Sequence, residues 1–146
     1  MSAADRAVAH RAKIVLAALA WLGTPYRHQC SQKGQGTDCL GLIRGIYRDI
    51  TGGEPESPPP YARFERGREE TMLEAAQRNL ILTDHPLPGD VLLFRMRRTQ
   101  PVRHCGVLIA PDRFVHAHQG QSVLGASLSP FWRDRLAASF AFPEPQ

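Results

Sequence analysis

Thr37-Asp38-Cys39-Leu40-Gly41-Leu42 opens the most informative stretch of the chain, which continues through Ile43, Ile46, Tyr47 and Ile50 to Thr51-Gly52-Gly53. Leu40, Ile43, Ile46, Tyr47 and Ile50 recur at helical spacing, so one face of a helix is apolar. Asp38 is a good N-cap and the glycine pair is a C-terminal stop. Cys39 therefore stands at the first turn, where unpaired backbone N–H groups and the positive end of the helix dipole favour a thiolate. A small apolar cysteine packed in a helix interior is the competing reading, at even odds from this stretch alone.

Towards the N-terminus, the spacing of Val8, Ala12, Val15, Leu19 and Leu22 predicts an amphipathic helix from about Ala4 to Leu22. Gly23 and Pro25 end it. Arg6, Arg11 and Lys13 before an apolar run imitate a secretory leader, but the helical stripe suits a packed helix better. Tyr26 to Thr37 reads as a loop. Towards the C-terminus, Glu54 to Pro60 is an extended proline-rich connector and Glu69 to Asn79 a more polar helix.

From Pro88 onward the pattern changes to short strands. Pro88-Gly89-Asp90 is a turn into Val91 to Phe94, and Cys105 to Ile109 reverses at Pro111-Asp112 into Phe114 to Ala117. Gln121 to Leu128 and Ala138 to Phe142 are further strand candidates, with Ser129-Pro130 starting a short helix between them. Helices followed by a run of strands give an α+β fold with an antiparallel sheet. Residues 1–146 are read as a single domain, and no apolar run is long enough to span a membrane.

A net charge of +4 and a pI near 9.3 favour anionic partners, although scattered charges equally serve solubility. Three cysteines are too few and too odd in number for a disulfide-stapled fold, which points to synthesis in a reducing compartment.

A nucleophilic thiol needs a base. His104 opens one strand, and His116 and His118 lie two apart on the next, so the latter pair share a face. A turn at Pro111-Asp112 brings His104 close to His116 across the ladder, where one imidazole can act and the other orient it. His28, Cys30, Cys39, His104 and His116 also raise the question of zinc. No Cys-x-x-Cys supports it, and His116-Ala117-His118 is the one close pair, so no metal is expected.

Five landmarks carry a family resemblance in order: Gly23-Thr24-Pro25-Tyr26, Thr37-Asp38-Cys39-Leu40-Gly41-Leu42, Pro88-Gly89-Asp90-Val91, His104-Cys105-Gly106-Val107 and Phe114-Val115-His116-Ala117. Together they resemble the NlpC family of cell-wall cysteine peptidases over nearly the whole chain. Tyr26-Arg27-His28-Gln29, Asp38-Cys39-Leu40-Gly41 and Phe131-Trp132-Arg133 look most like the subset carried by phage tails and gene-transfer particles.

The resemblance implies a papain-like core with Cys39 as nucleophile, His104 as base and His116 as the residue orienting it. Tyr26 and the Cys39 backbone N–H would hold the oxyanion, with Asp38 beside them. The implied substrate is the peptidoglycan stem peptide, cut between D-glutamate (through its γ-carboxyl) and a diamino acid, without metal or cofactor. Tail or baseplate proteins are the implied protein partners, and no nucleic acid is. The protein is then expected to be made in the cytoplasm without a cleaved leader and to act in the cell envelope on a phage-like particle. A wall-binding baseplate component with little hydrolytic activity, and a thiol amidase acting on another substrate, are the competing readings.

Two departures stand out. Leu40 occupies the place where most of the family has serine, and Gln29-Cys30 the place of a usual Gly-Gly pair. Cys105 is expected in the core, on the strand face opposite His104. A reversible Cys30–Cys39 disulfide is a lesser possibility. Arg95, Arg97, Arg98 and Arg103 cluster before His104, where a solvated hairpin tip is the plainer reading, and Arg97, Arg98 and Arg103 are also candidates for attracting stem-peptide carboxylates.

Overall fold

A computed structural model describes residues 1–59 and 67–145. Pro60, the end of the proline-rich connector, lies outside the described residues. The helices are α1 (Ala3–Leu19), α2 (Cys39–Thr51), α3 (Thr71–Asn79) and α4 (Pro130–Arg133). The strands are β1 (Ser31–Gln32), β2 (Gly36–Thr37), β3 (Ile81–Thr83), β4 (Val91–Phe94), β5 (His104–Ala110), β6 (Arg113–His116), β7 (Leu124–Ser127) and β8 (Leu136–Ala141). The fold is α+β, and β3 to β8 form a six-stranded antiparallel sheet in the order β3-β8-β4-β5-β6-β7.

The sheet separates two apolar clusters, because successive residues of a strand face opposite ways. Val91, Leu93, Cys105, Val107, Val115 and Ala117 face the helices and pack with Ile14, Trp21, Leu42 and Ile46. Leu92, Phe94, Leu108 and Phe114 face the other way and are covered by Trp132, Leu128 and Leu136.

The helix at Cys39 forms as its sequence predicts, ending at Gly52 in the left-handed region with φ 81°. The first helix is different. Val8 and Ala12 are exposed, and so are Leu19 and Leu22, whereas Ile14, Ala18 and Trp21 are buried. The inward face is one residue out of phase with the expected stripe, about 100° around the helix. Polar residues explain the shift. Arg11 turns inward to Asp90, their N–O distance 2.6 Å, and His10 Nε2 contacts the Phe142 carbonyl at 3.2 Å.

Three smaller findings concern the sheet and a loop. The segment read as a loop up to Thr37 folds back on itself as the β1–β2 hairpin. β3 was not expected from the sequence; two of its residues, Ile81 and Leu82, are exposed at the sheet edge. The last strand, for which the sequence gives no place in the strand order, inserts between β3 and β4.

Candidate active site

Asp38 sets the start of α2. It has extended backbone (φ −103°, ψ −173°), and its Oδ1 accepts the Gly41 N–H at 2.8 Å. Its other oxygen accepts the Gln29 N–H at 2.8 Å, tying the preceding loop to the helix start. Gln29 adopts φ 63°, the left-handed region that glycine enters without strain. That position is one of the two where the sequence departs from Gly-Gly, and the Asp38 bond holds it there. Gly41 is required by close approach, since a Cβ would lie 1.9 Å from the Cys30 carbonyl oxygen.

Cys39 is half-buried at the first position of this helix. Its sulfur lies 3.8 Å from the Arg103 carbonyl oxygen, and the Cys105 sulfur lies 3.2 Å from the Cys39 carbonyl oxygen. The Cys39 thiol is held down to about 5, first by a hydrogen bond from the Cys105 thiol. A hydrogen bond and the charge of His104 act the same way, against burial and the Asp38 charge. Cys105 is correspondingly pushed well up and keeps its proton. Cys105 is thus buried in the core as expected, but it is more than packing. The strand face opposite His104 is the one on which α2 lies, and that brings Cys105 against Cys39.

His104 begins β5 at the end of the sheet. Its Nε2 lies 2.7 Å from His116 Nδ1, so the predicted cross-strand approach of the two imidazoles occurs. Both rings are buried, with Trp132 centred 5.5 Å from His104 and 5.3 Å from His116. Phe94 and Phe114 complete the wall. His116 is lowered to about 3, first by burial and then by the charges of His104 and His118, so it stays neutral and can orient His104. With Nε2 of His104 facing His116, Nδ1 is left for the thiol.

His118 joins this pair. The ring centroids of His104 and His118 are 5.7 Å apart, and one nitrogen from each of His104, His116 and His118 lies within 4.8 Å of the others. The sequence placed His116 and His118 on one face but did not unite all three.

Cys39 opens onto a cleft of about 390 Å³ between α2, α3 and the chain after α2, with Tyr26, Leu40, Arg44, Arg78 and Arg103 among its walls. Of the arginines named from sequence, Arg103 lines this cleft, and its Nη2 donates to the Gly67 carbonyl at 2.5 Å. Arg97 and Arg98 are exposed and do not line it. Arg44 and Arg78 do, anchored by Glu54 and Glu56 respectively; in the sequence they sit among helix-surface residues and carry no separate signal. The three cysteines are free thiols.

Residues 23–140 match the NlpC/P60 family. Over 116 residues the chain is 32% identical to the murein DD-endopeptidase MepS/murein LD-carboxypeptidase of Escherichia coli K12, covering 79% of this chain and 54% of that protein. It therefore spans about half the length of that relative. It is 25% identical over 135 residues to the gamma-DL-glutamyl hydrolase of Bacillus subtilis, covering 92% of this chain and 30% of that protein. The fold superposes on the NlpC/p60 domain of the peptidoglycan hydrolase SagA with a TM-score of 0.65 at 22% identity, covering 90% of this chain and 98% of that one.

Proposed function

This chain belongs to the NlpC/P60 family, and on that premise we propose that it is a peptidoglycan endopeptidase with Cys39 as nucleophile, His104 as general base and acid, and His116 as the residue positioning His104. The observation that carries the reading is the placing of Cys39 at a helix start capped by Asp38, with the imidazole of His104 held at 2.7 Å by that of His116; the lowering of the Cys39 thiol by Cys105 and His104 agrees with it.

The proposed steps are those that the family resemblance implies for these residues. The thiolate attacks the stem-peptide carbonyl, and the oxyanion that forms is held by the Cys39 backbone N–H and by Tyr26, each such donor typically being worth about 3 kcal/mol. His104 protonates the leaving amine, which departs as the thioester acyl-enzyme forms. His104 then takes a proton from water, the hydroxide attacks the thioester, and the thiolate is restored. Asp38 acts by holding the helix start and the Gln29 loop in place.

The bond we infer is D-γ-glutamyl to diamino acid. Its support is the motif resemblance together with a relative named as a gamma-DL-glutamyl hydrolase, while another relative is named for D,D and L,D bonds. Arg44, Arg78 and Arg103 along the cleft suit the carboxylates of such peptides. Service in wall penetration by a phage-like tail is the biological setting we infer from the Tyr26-Arg27-His28-Gln29 and Phe131-Trp132-Arg133 motifs.

The deciding experiment is mass spectrometry of products from defined stem peptides, with wild type and Cys39→Ser compared. Cleavage at the γ-glutamyl bond that Cys39→Ser abolishes is the expected result. Full activity of that variant would overturn the thiol mechanism, and cleavage elsewhere would overturn the bond assignment.

A further inference from the structure

We propose that His104, His116 and His118 form a binding site for a zinc-class divalent cation, and that an ion bound there stops hydrolysis by occupying the imidazoles the thiol needs. The binding stands on geometry alone; the effect on hydrolysis rests on the function proposed above.

Among the described residues these three histidines are the group of possible ligands that converges, one nitrogen each, within 4.8 Å. A tetrahedral ion with Zn–N bonds of about 2.0–2.1 Å sets its ligand nitrogens roughly 3.3 Å apart, so ring movements of about 1 Å or less suffice. The backbone is already placed for this. His104 and His116 come from neighbouring strands, and Trp132, Phe94 and Phe114 pack around their rings. His118 lies just past β6 and is exposed, which gives an ion a route in from solvent.

The donor set selects the ion. Three neutral imidazoles suit zinc, cobalt, nickel or copper, and they are poor ligands for magnesium or calcium, which demand oxygen. Three histidines with an open fourth position is a known zinc arrangement. Binding needs lone pairs on both His104 Nε2 and His116 Nδ1, which now share a 2.7 Å hydrogen bond. The proton in that bond must leave: a neutral ring carries it on its other nitrogen, and an imidazolium releases one proton to solvent. Once the ion is bound, His104 is fixed to it and cannot shuttle a proton. His118, which has no step in the thiol chemistry, supplies the third ligand.

The test separates the site from the thiol. Zinc chloride is titrated calorimetrically into the Cys39→Ser protein, with cobalt(II) absorption as a second probe of coordination. The expected result is one zinc per chain and a tetrahedral cobalt spectrum. In Cys39→Ser/His118→Ser, affinity should fall about tenfold or more, as for loss of an important metal contact. In parallel, zinc inhibition of stem-peptide cleavage is measured for wild type and His118→Ser, each relative to its own metal-free rate. His118→Ser should need about tenfold more zinc for half-inhibition, and a chelator should restore activity. No zinc binding by Cys39→Ser, or equal binding with and without His118, overturns the site. Zinc binding at the three histidines that leaves hydrolysis unaltered overturns the inhibition. If wild type cleaves no stem peptide, the function proposed above fails while calorimetry still decides the site.

Discussion

The thiol of Cys105 packs against Cys39, its sulfur 3.2 Å from the Cys39 carbonyl oxygen. This neighbour is the first cause of the lowered Cys39 thiol, ahead of His104. Cys105→Ala removes the donor without adding bulk. The rate of Cys39 alkylation by iodoacetamide, followed against pH, should rise through a midpoint near 5 in wild type. In Cys105→Ala the midpoint should move upward, and Cys105→Ser, which keeps a donor, should lie between. Coincident profiles for wild type and Cys105→Ala would show that His104 and the helix start suffice.

His104 and His116 should differ in how much activity they supply. Loss of a general acid–base group typically costs about 10²–10⁴ in rate, so His104→Ala should fall in that range in kcat. His116→Ala leaves the base in place but releases Nε2 of His104 from its 2.7 Å partner. It should lower kcat less and leave KM nearly unchanged, and His116→Asn, which retains a polar partner, should recover part of the loss. Steady-state kinetics on a defined stem peptide checks this.

Burial of neutral His116 also ties stability to pH. Its folded-state value is near 3, whereas in the unfolded chain it titrates as an ordinary histidine. Between those values the unfolded state binds the extra proton. Stability therefore falls as pH drops from about 6.5 towards 3, by at most about 1.4 kcal/mol per pH unit from this residue, and is insensitive to it above that window. Urea denaturation at several pH values should show a flatter acid limb in His116→Asn than in wild type.

Asp90 is fully buried, accepting from Arg11 at 2.6 Å and from the Leu87 N–H at 2.9 Å. Arg11→Met strands a buried carboxylate, which typically costs about 3 kcal/mol or more. Asp90→Asn in the same background removes that charge and should restore part of the loss. Equal stabilities of the single and double variants would mean that water replaces Arg11.

Much of this arrangement is legible in the sequence because local chemistry agrees with the fold. Asp38 before an apolar helical run, with Gly52 after it, specifies α2 on local grounds alone, and Pro111-Asp112 between strands sets the hairpin that joins His104 to His116. What escaped the sequence depends on contacts between distant segments. The phase of α1 is decided by Arg11 finding Asp90, 79 residues away. Strand alternation correctly turned Cys105 away from His104, but only the packing of α2 on that face reveals that Cys39 is its neighbour. The convergence of His118 on His104 likewise needs the strand register as well as the period.

Gly45 offers a test of how tightly α2 sits on α1. A Cβ there would lie 2.0 Å from Trp21 Cζ2 and 2.3 Å from Cη2, and the indole is buried. The ring is also held by its Nε1 donating to Asp49 Oδ2 at 3.1 Å, so it cannot shift without straining that bond. Helix propensity alone would make Gly45→Ala stabilising by about 1 kcal/mol. Overpacking opposes this by about 1–3 kcal/mol, and a rigid ring places the site towards the upper end. The variant should therefore be less stable in urea, with altered tryptophan fluorescence. Trp21→Leu on its own opens a cavity and is destabilising. Combined with Gly45→Ala it should cost less than the sum of the two, because the methyl then occupies space the ring has left. Gly53→Ala, with open space around its Cβ position, is the control that should leave both readouts little changed.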